Sequence, residues 1–327
     1  MNIYKLIKIL SGLISLSIIA ILCFYFWSSS SNLKADSYSL LIENNYAQNI
    51  ENDSVYSIIT YNIGYLSGMT NNRPIERNKQ MFTNNMKKVK KAFAALNPDI
   101  ICFQEIDYNS NRSFFVNQQN ELATLGYNYV FQTVNWDKKY VPFPYFPIAI
   151  HFGEVLSGQS ILSKHPLFDI ERIPLERVAN GPFYEDAFYL DRLAQVTKVD
   201  IDNQAVVLIN VHLESFDADT RKLQTKYVAE LFKKYYKDFP TFLVGDFNSD
   251  LKYKDAAIKI VLGIPGIGSA KFDSENSLKT FPSNNPNERL DYIFYNTEFI
   301  EMMSSNIVTT VGEASDHLPV MMSFKLK

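Results

Sequence analysis

The chain has 327 residues, enough for one large domain or two ordinary ones, and its 46% apolar content is ordinary for a globular chain. A net charge of −3 gives no overall basic character to recruit nucleic acid, although it leaves room for a local basic patch. Two cysteines, Cys23 in an apolar terminal run and Cys102 in a buried-looking strand, exclude a disulfide framework.

The first element is "MNIYKLIKILSGLISLSIIAILCFYFW". Its apolar part, from about Ile9 to Trp27, is long enough at about 1.5 Å per residue to cross a hydrocarbon core of about 30 Å. Tyr25 and Trp27 stand where an interfacial aromatic belt belongs. A cleaved signal peptide is the rival reading, but the bulky "CFYFW" end offers no small-residue cleavage site. Lys5 and Lys8 place the short end in the cytoplasm, which puts the rest of a single-pass protein on the non-cytoplasmic side. Residues 1–28 are therefore expected to be tip and anchor. The Ser-, Asn- and Asp-rich stretch 29–53 is expected to be a tether, and 54–327 one domain.

From Val55 onward, short β-branched runs alternate with helical patterns. "VYSIITYNIG" predicts a strand. A helix follows with Met81, Met86, Val89, Phe93 and Leu96 as its apolar stripe and Pro98 beyond its end. "DIICFQEID" and "SGQSILSKHPL" predict further strands, and "LAQVTKVDID" pairs with "QAVVLINVHLES" through an Asp202-Asn203 turn. A second amphipathic helix, "TRKLQTKYVAELFKKYYKD", leads into the strand "FLVGDFNSD"; "RLDYIFY" and "SDHLPVMMSFKL" close the chain.

Several of these strands end or begin on residues suited to catalysis: Asn62, Glu105, His212, Asp246 with Asn248, and Asp316-His317. Singly, each has a bland reading as turn former, cap or core histidine. Together they fit the way α/β folds place ligands at strand ends. Asp246 and Asn248 share a face if the extended geometry runs on past the glycine.

In order and spacing, "YNIG", "QEID", "NVHLES", "GDFNSD", "RLDYIFY" and "SDHLPV" resemble the endonuclease/exonuclease/phosphatase superfamily from Val55 to the C-terminus. The resemblance implies an α/β fold, a four-layer α-β-β-α sandwich of deoxyribonuclease-I type, here behind one transmembrane helix. It implies a metal-dependent phosphoesterase using Mg²⁺, with Mn²⁺ as a substitute. Glu105 is then the principal metal ligand, Asn62 a carbonyl ligand or orienter, and Asp316 a second carboxylate. Asp246 would orient or deprotonate water, and Asn248 would hold a phosphoryl oxygen. His212 and His317 would flank the phosphate, with Asp291 orienting His317. Arg192 matches a phosphate-contacting arginine, with a plain surface salt bridge as its alternative. The chemistry agrees: a phosphodiester anion needs a cation on its oxygens and a base on water, and Mg²⁺ takes hard oxygen ligands.

Two positions depart from the nuclease members. Gly64 stands where some carry an acidic residue, and Leu156 where some carry a tyrosine. His151 is a candidate substrate-lining residue, with a structural role as its alternative, and His165 a surface one. The insert around Trp136, Tyr140, Phe143, Tyr145 and Phe146 reads either as a packed loop or as an apolar rim. The expected substrate is a phosphoester in a lipid headgroup, a nucleic acid or a sugar phosphate. A nuclease or an inactive binding module on the same fold is the alternative. Beyond the membrane, no protein partner is inferred.

Overall fold

The computed structural model describes residues 3–49, 54–179, 181–270 and 278–327. Helix α1, Ile3–Ser29, is apolar all round, and it is long and apolar enough to cross a membrane. A signal sequence would pass the same test. Part of the expected tether is built into the domain instead: β1, Ser39–Glu43, pairs with β4, Tyr129–Val141. Asp137 of β4 fixes the entry to it by accepting hydrogen bonds from the Asn32 and Leu33 amides, both at 2.8 Å. Residues 50–53 of that stretch lie outside the described residues.

The remaining elements include every predicted strand and helix, together with several that no pattern pointed to. Strand β2 is Tyr56–Asn62, α2 Lys79–Leu96, β3 Ile100–Asp107 and α3 Gln118–Ala123. After β4 come β5 (Gly153–Ser163), β6 (Leu167–Pro174), α4 (Phe183–Asp186), β7 (Leu193–Ile201) and β8 (Gln204–His212). The chain continues through α5 (Ala218–Tyr235), β9 (Thr241–Asp246), α6 (Lys259–Leu262) and β10 (Ile267–Ser269). It ends with β11 (Asp291–Asn296), β12 (Ile300–Ile307) and β13 (Val320–Leu326). Asn78 caps α2 by accepting from the Met81 amide, and the Asp202-Asn203 turn has φ of 53° and 64°, as a tight type I′ hairpin requires.

Among the described residues the strands form two sheets, ordered β1-β4-β5-β3-β2-β13-β12 and β10-β11-β9-β8-β7-β6. Ile59, Tyr61, Ile101 and Phe103 face α2 and α3, while Ile209, Val211, Leu243 and Phe294 face α5 and α6. Ile58, Cys102, Leu208, Val244 and Ile293 fill the space between the sheets. Each of these fully buried apolar side chains contributes on the order of 1.5–3 kcal/mol. The result is the four-layer α-β-β-α sandwich.

Period-2 alternation carries the inter-sheet face along β2 and β8 through three chemical zones. Apolar residues come first, then amides and a hydroxyl. In this middle zone Gln104 donates to Asn210 across the sheets at 2.7 Å and to Thr60 at 3.1 Å, and Asn210 donates to Gln195 at 3.0 Å. A buried amide left without its partner costs on the order of 1–3 kcal/mol, so this layer fixes how the two sheets face each other. The third zone, at the strand ends, is the site: Asn62 on β2, His212 on β8, Asp246 on β9 and Asp291 on β11.

Candidate active site

His212 and Asp246 are register partners at the ends of the parallel pair β8 and β9, and Asp291 opposes Asp246 from β11. Gly245 permits this closeness, because a Cβ there would lie 1.9 Å from the Val211 carbonyl oxygen. Asn62 reaches from the other sheet and donates to Asp246 Oδ2 at 2.9 Å, while its own oxygen accepts from the Gly64 amide at 3.1 Å. Asn62 is thus engaged as an orienter of Asp246. The extended geometry does not continue to Asn248: β9 stops at Asp246, and Asn248 turns back with φ of 48°. Its amide donates to Asp246 Oδ1 at 2.9 Å and its side chain to the Leu213 carbonyl at 3.0 Å. The side-chain amide still lines the cleft.

Glu105 reaches the same cleft by a different device. Alternation alone would turn it away, since Gln104 occupies the inter-sheet face. A β-bulge between Phe103 and Ile106, with φ of 51° at Glu105, swings its carboxylate into the site. Asn71 bridges Glu105 Oε2 at 2.9 Å and Asp316 Oδ1 at 3.3 Å. At Gly64, where some nucleases carry an acidic residue, φ is +51° and a Cβ would come within 2.8 Å of Asp316 Oδ1 and 2.7 Å of Ser315 Oγ, so a side chain there would be strained and would displace both.

The two catalytic-type histidines are pushed apart in protonation. Burial drives His212 well below its ordinary basicity, and Arg192 and His317 add to that. Arg192 Nη1 lies 2.8 Å from His212 Nε2, and a guanidinium only donates, so the neutral imidazole accepts there. Burial also works against charge on His317, but Asp291 and Asp246 outweigh it and raise its basicity well above the ordinary range. His317 Nδ1 sits 2.9 Å from Asp291, and Nε2 is 3.8 Å from Asp246 Oδ2. Burial raises the Asp246 carboxyl, with His317 opposing and Asp291 adding to the rise. Opposite shifts within one cluster are what acid–base division of labour requires.

Arg192 is a buried cleft residue, not a surface ion pair. Its Nε lies 3.4 Å from Glu214 and its Nη2 donates to Ser215 at 3.0 Å. Tyr189 donates to the same oxygen, Glu214 Oε2, at 2.7 Å. His151 does not reach the cleft. Its ring nitrogens contact the Tyr140 hydroxyl at 2.9 Å and the Tyr145 carbonyl at 3.0 Å, so it braces the aromatic loop. His165 is half-buried beside Tyr56. Leu156 lies outside the cleft, and Tyr65, which no motif pointed to, lines it with a buried hydroxyl that has no hydrogen-bond partner among the described residues.

Two sets of groups are placed to meet a cation. Asp246, Asp291 and His317 bring ligand atoms within 4.8 Å of one another, with His317 Nδ1 already engaged by Asp291. The Glu105–Asp316 pair is the hard oxygen set. Burial raises the Glu105 carboxyl and Asp316 raises it further, the repulsion that a divalent cation between them would relieve. These residues fit a hard divalent cation.

The whole arrangement opens into a cleft of about 1160 Å³. A UPF0294 protein of Vibrio cholerae is 31% identical over 127 residues, covering 38% of this chain and 42% of that protein. The chain thus spans about two fifths of the curated relatives it matches. Similar solved structures show the same fold. They include D. rerio TDP2 complexed with single-strand DNA product, with TM-score 0.59, 17% identity, and 84% of this chain and 100% of that one covered. The human nocturnin catalytic domain gives 0.57 at 15% identity, covering 88% and 98%. An endonuclease/exonuclease/phosphatase of Bacteroides vulgatus gives 0.58 at 15%, covering 84% and 99%. The profile of the Endonuclease/Exonuclease/phosphatase family, whose members hydrolyse phosphoester bonds, matches residues 59–317, and the chain belongs to that family.

Proposed function

We propose that the chain is a divalent-metal-dependent phosphodiesterase tethered to a membrane by α1. The observation that carries this reading is the Asp291–His317–Asp246 relay standing across one cleft from the Glu105–Asp316 carboxylate pair. Glu105 and Asp316 would hold Mg²⁺, which supplies charge stabilisation on the phosphoryl oxygens when bound. Asp246, oriented by Asn62, accepts a proton from water. Charged His317 and the Asn248 amide face the oxygens on which negative charge grows. Water oxygen bonds to phosphorus, one P–O ester bond breaks, and the products are a phosphomonoester and an alcohol.

The test uses the full chain in detergent on bis-(p-nitrophenyl) phosphate with Mg²⁺ or Mn²⁺. Hydrolysis is expected, with loss on adding chelator and recovery on restoring the ion. Silence toward every phosphoester with either ion would replace this reading with a binding module.

Lys5 and Lys8 in the first turns of an otherwise uncharged apolar helix support a cytoplasmic N-terminus, with the domain on the opposite side. A reporter fused after Lys327 should be active only outside the cytoplasm; activity confined to the cytoplasm would refute that topology.

A further inference from the structure

We propose that the substrate is a phospholipid of the bilayer that holds α1, and that the mouth of the cleft lies against that bilayer. The inference rests on the phosphodiesterase reading and names its substrate class.

The base of α1 is fixed to the cleft rim by aromatic contacts. Tyr25 meets Phe183 at 6.0 Å and Phe188 at 6.1 Å between ring centroids, and its hydroxyl donates to the Phe183 carbonyl at 3.2 Å. Phe24 and Trp27 meet Tyr140 at 5.7 and 6.3 Å. Tyr140 continues through His151 to the Tyr145 carbonyl. Phe188 and Tyr145 in turn line the cleft. A bilayer that takes up the apolar length of α1 therefore meets these rim residues at the level of Phe24 to Trp27.

The rim is dressed for that environment. Phe146 is 80% exposed, Ile148 70% and Phe183, despite its contact with Tyr25, 75%, so most of each side chain projects from the fold. Exposed apolar groups of this size grouped beside a membrane helix suit the interfacial zone, where aromatic rings are favoured. Phe216, 93% exposed, adds a ring on the β8–α5 side of the mouth. The cleft lining joins the apolar Phe143, Phe152 and Trp136, which pack together beside the aromatic loop, to the polar Asn248, His212 and Asp316. That division suits a molecule with an apolar body on one side and a phosphodiester on the other. The reaction is the one above: water adds to phosphorus, and one alcohol of the lipid diester leaves with a proton.

The test places the full chain in nanodiscs of phosphatidylcholine or of phosphatidylglycerol with Mg²⁺. Release of a phosphomonoester or of free headgroup is followed by ³¹P NMR, with bis-(p-nitrophenyl) phosphate and single-stranded DNA as soluble comparators. Turnover of at least one nanodisc lipid is expected. The combined Phe146→Ser, Ile148→Ser and Phe183→Ser variant should lose about tenfold or more on that lipid, since burial of one large apolar side chain is worth that much. It should keep its rate on the soluble diester, because none of the three lines the cleft. That retained rate also shows that the variant is folded. Equal losses on both substrates would overturn the proposal. Hydrolysis of the soluble diester by wild type with both lipids untouched, or DNA cleaved faster than lipid, would overturn it while leaving the phosphodiesterase reading in place. No hydrolysis of any substrate would remove both.

Discussion

Asp246→Asn is expected to lower kcat on a small phosphodiester by on the order of 10²-fold or more, the scale of a lost general base. The substitution keeps the shape of the side chain, and its single oxygen can still accept from the Asn248 backbone amide, while its NH₂ faces the Asn62 side chain, which must turn its own oxygen to meet it. What it removes is the proton acceptor between two histidines held in opposite protonation states. KM should change little, because the lost interaction belongs to the reacting water and not to the bound ester. His317→Ala should give a loss of the same order, since His317 connects Asp246 to Asp291. The double variant should fall far less than the product of the two single losses, because the two groups act as one unit. A single Asp246→Asn variant within a few-fold of wild type would remove Asp246 from the chemistry.

The strand-end residues were legible because two signals coincide on them. The period-2 pattern that buries Ile58, Leu208 and Val244 continues in phase to Asn62, His212 and Asp246, so the same face that makes the core also makes the site. Glu105 was legible as a motif, but the bulge that aims it was not, since alternation would have sent it to the helix side. Asn71 gave no signal. An asparagine in a polar turn is ordinary, and its contact with Glu105 spans 34 positions of sequence. Glu214 lay inside a recognised motif, yet its role appears only with Tyr189 and Arg192 beside it. The edge strand β1 was hidden for the opposite reason. A short, half-exposed run in a polar segment carries little periodicity, and pairing with β4 far along the chain decides its fate. Sequence nearness misled for His151, whose ring turns toward Tyr140 instead of the cleft.

Glu105→Gln is expected to move stability in opposite directions with and without metal. In the metal-free protein the Glu105 carboxyl is raised by burial and by the nearby Asp316, so its charge is unfavourable there. Glutamine removes that charge and keeps an oxygen for Asn71 to meet, so the metal-free variant should melt higher than wild type. A gain of about 1 kcal/mol would appear as a few degrees at this chain length. With Mg²⁺ the order should reverse. A ligand that binds only the folded state adds about 2.7 kcal/mol at 100 times its dissociation constant, and the variant has lost the principal carboxylate that would earn that stabilisation. Turnover should fall by on the order of 10²-fold at fixed Mg²⁺, and the ion concentration for half-maximal activity should rise by about tenfold or more, as removal of even supporting groups at metal sites does. Thermal melts of the full chain in detergent, with chelator and then with saturating Mg²⁺ or Mn²⁺, read both signs without relying on catalysis. A variant whose melting temperature climbs with the ion as far as that of wild type would show that the cation is held elsewhere, and the Asp246–Asp291–His317 cluster would become the place to look.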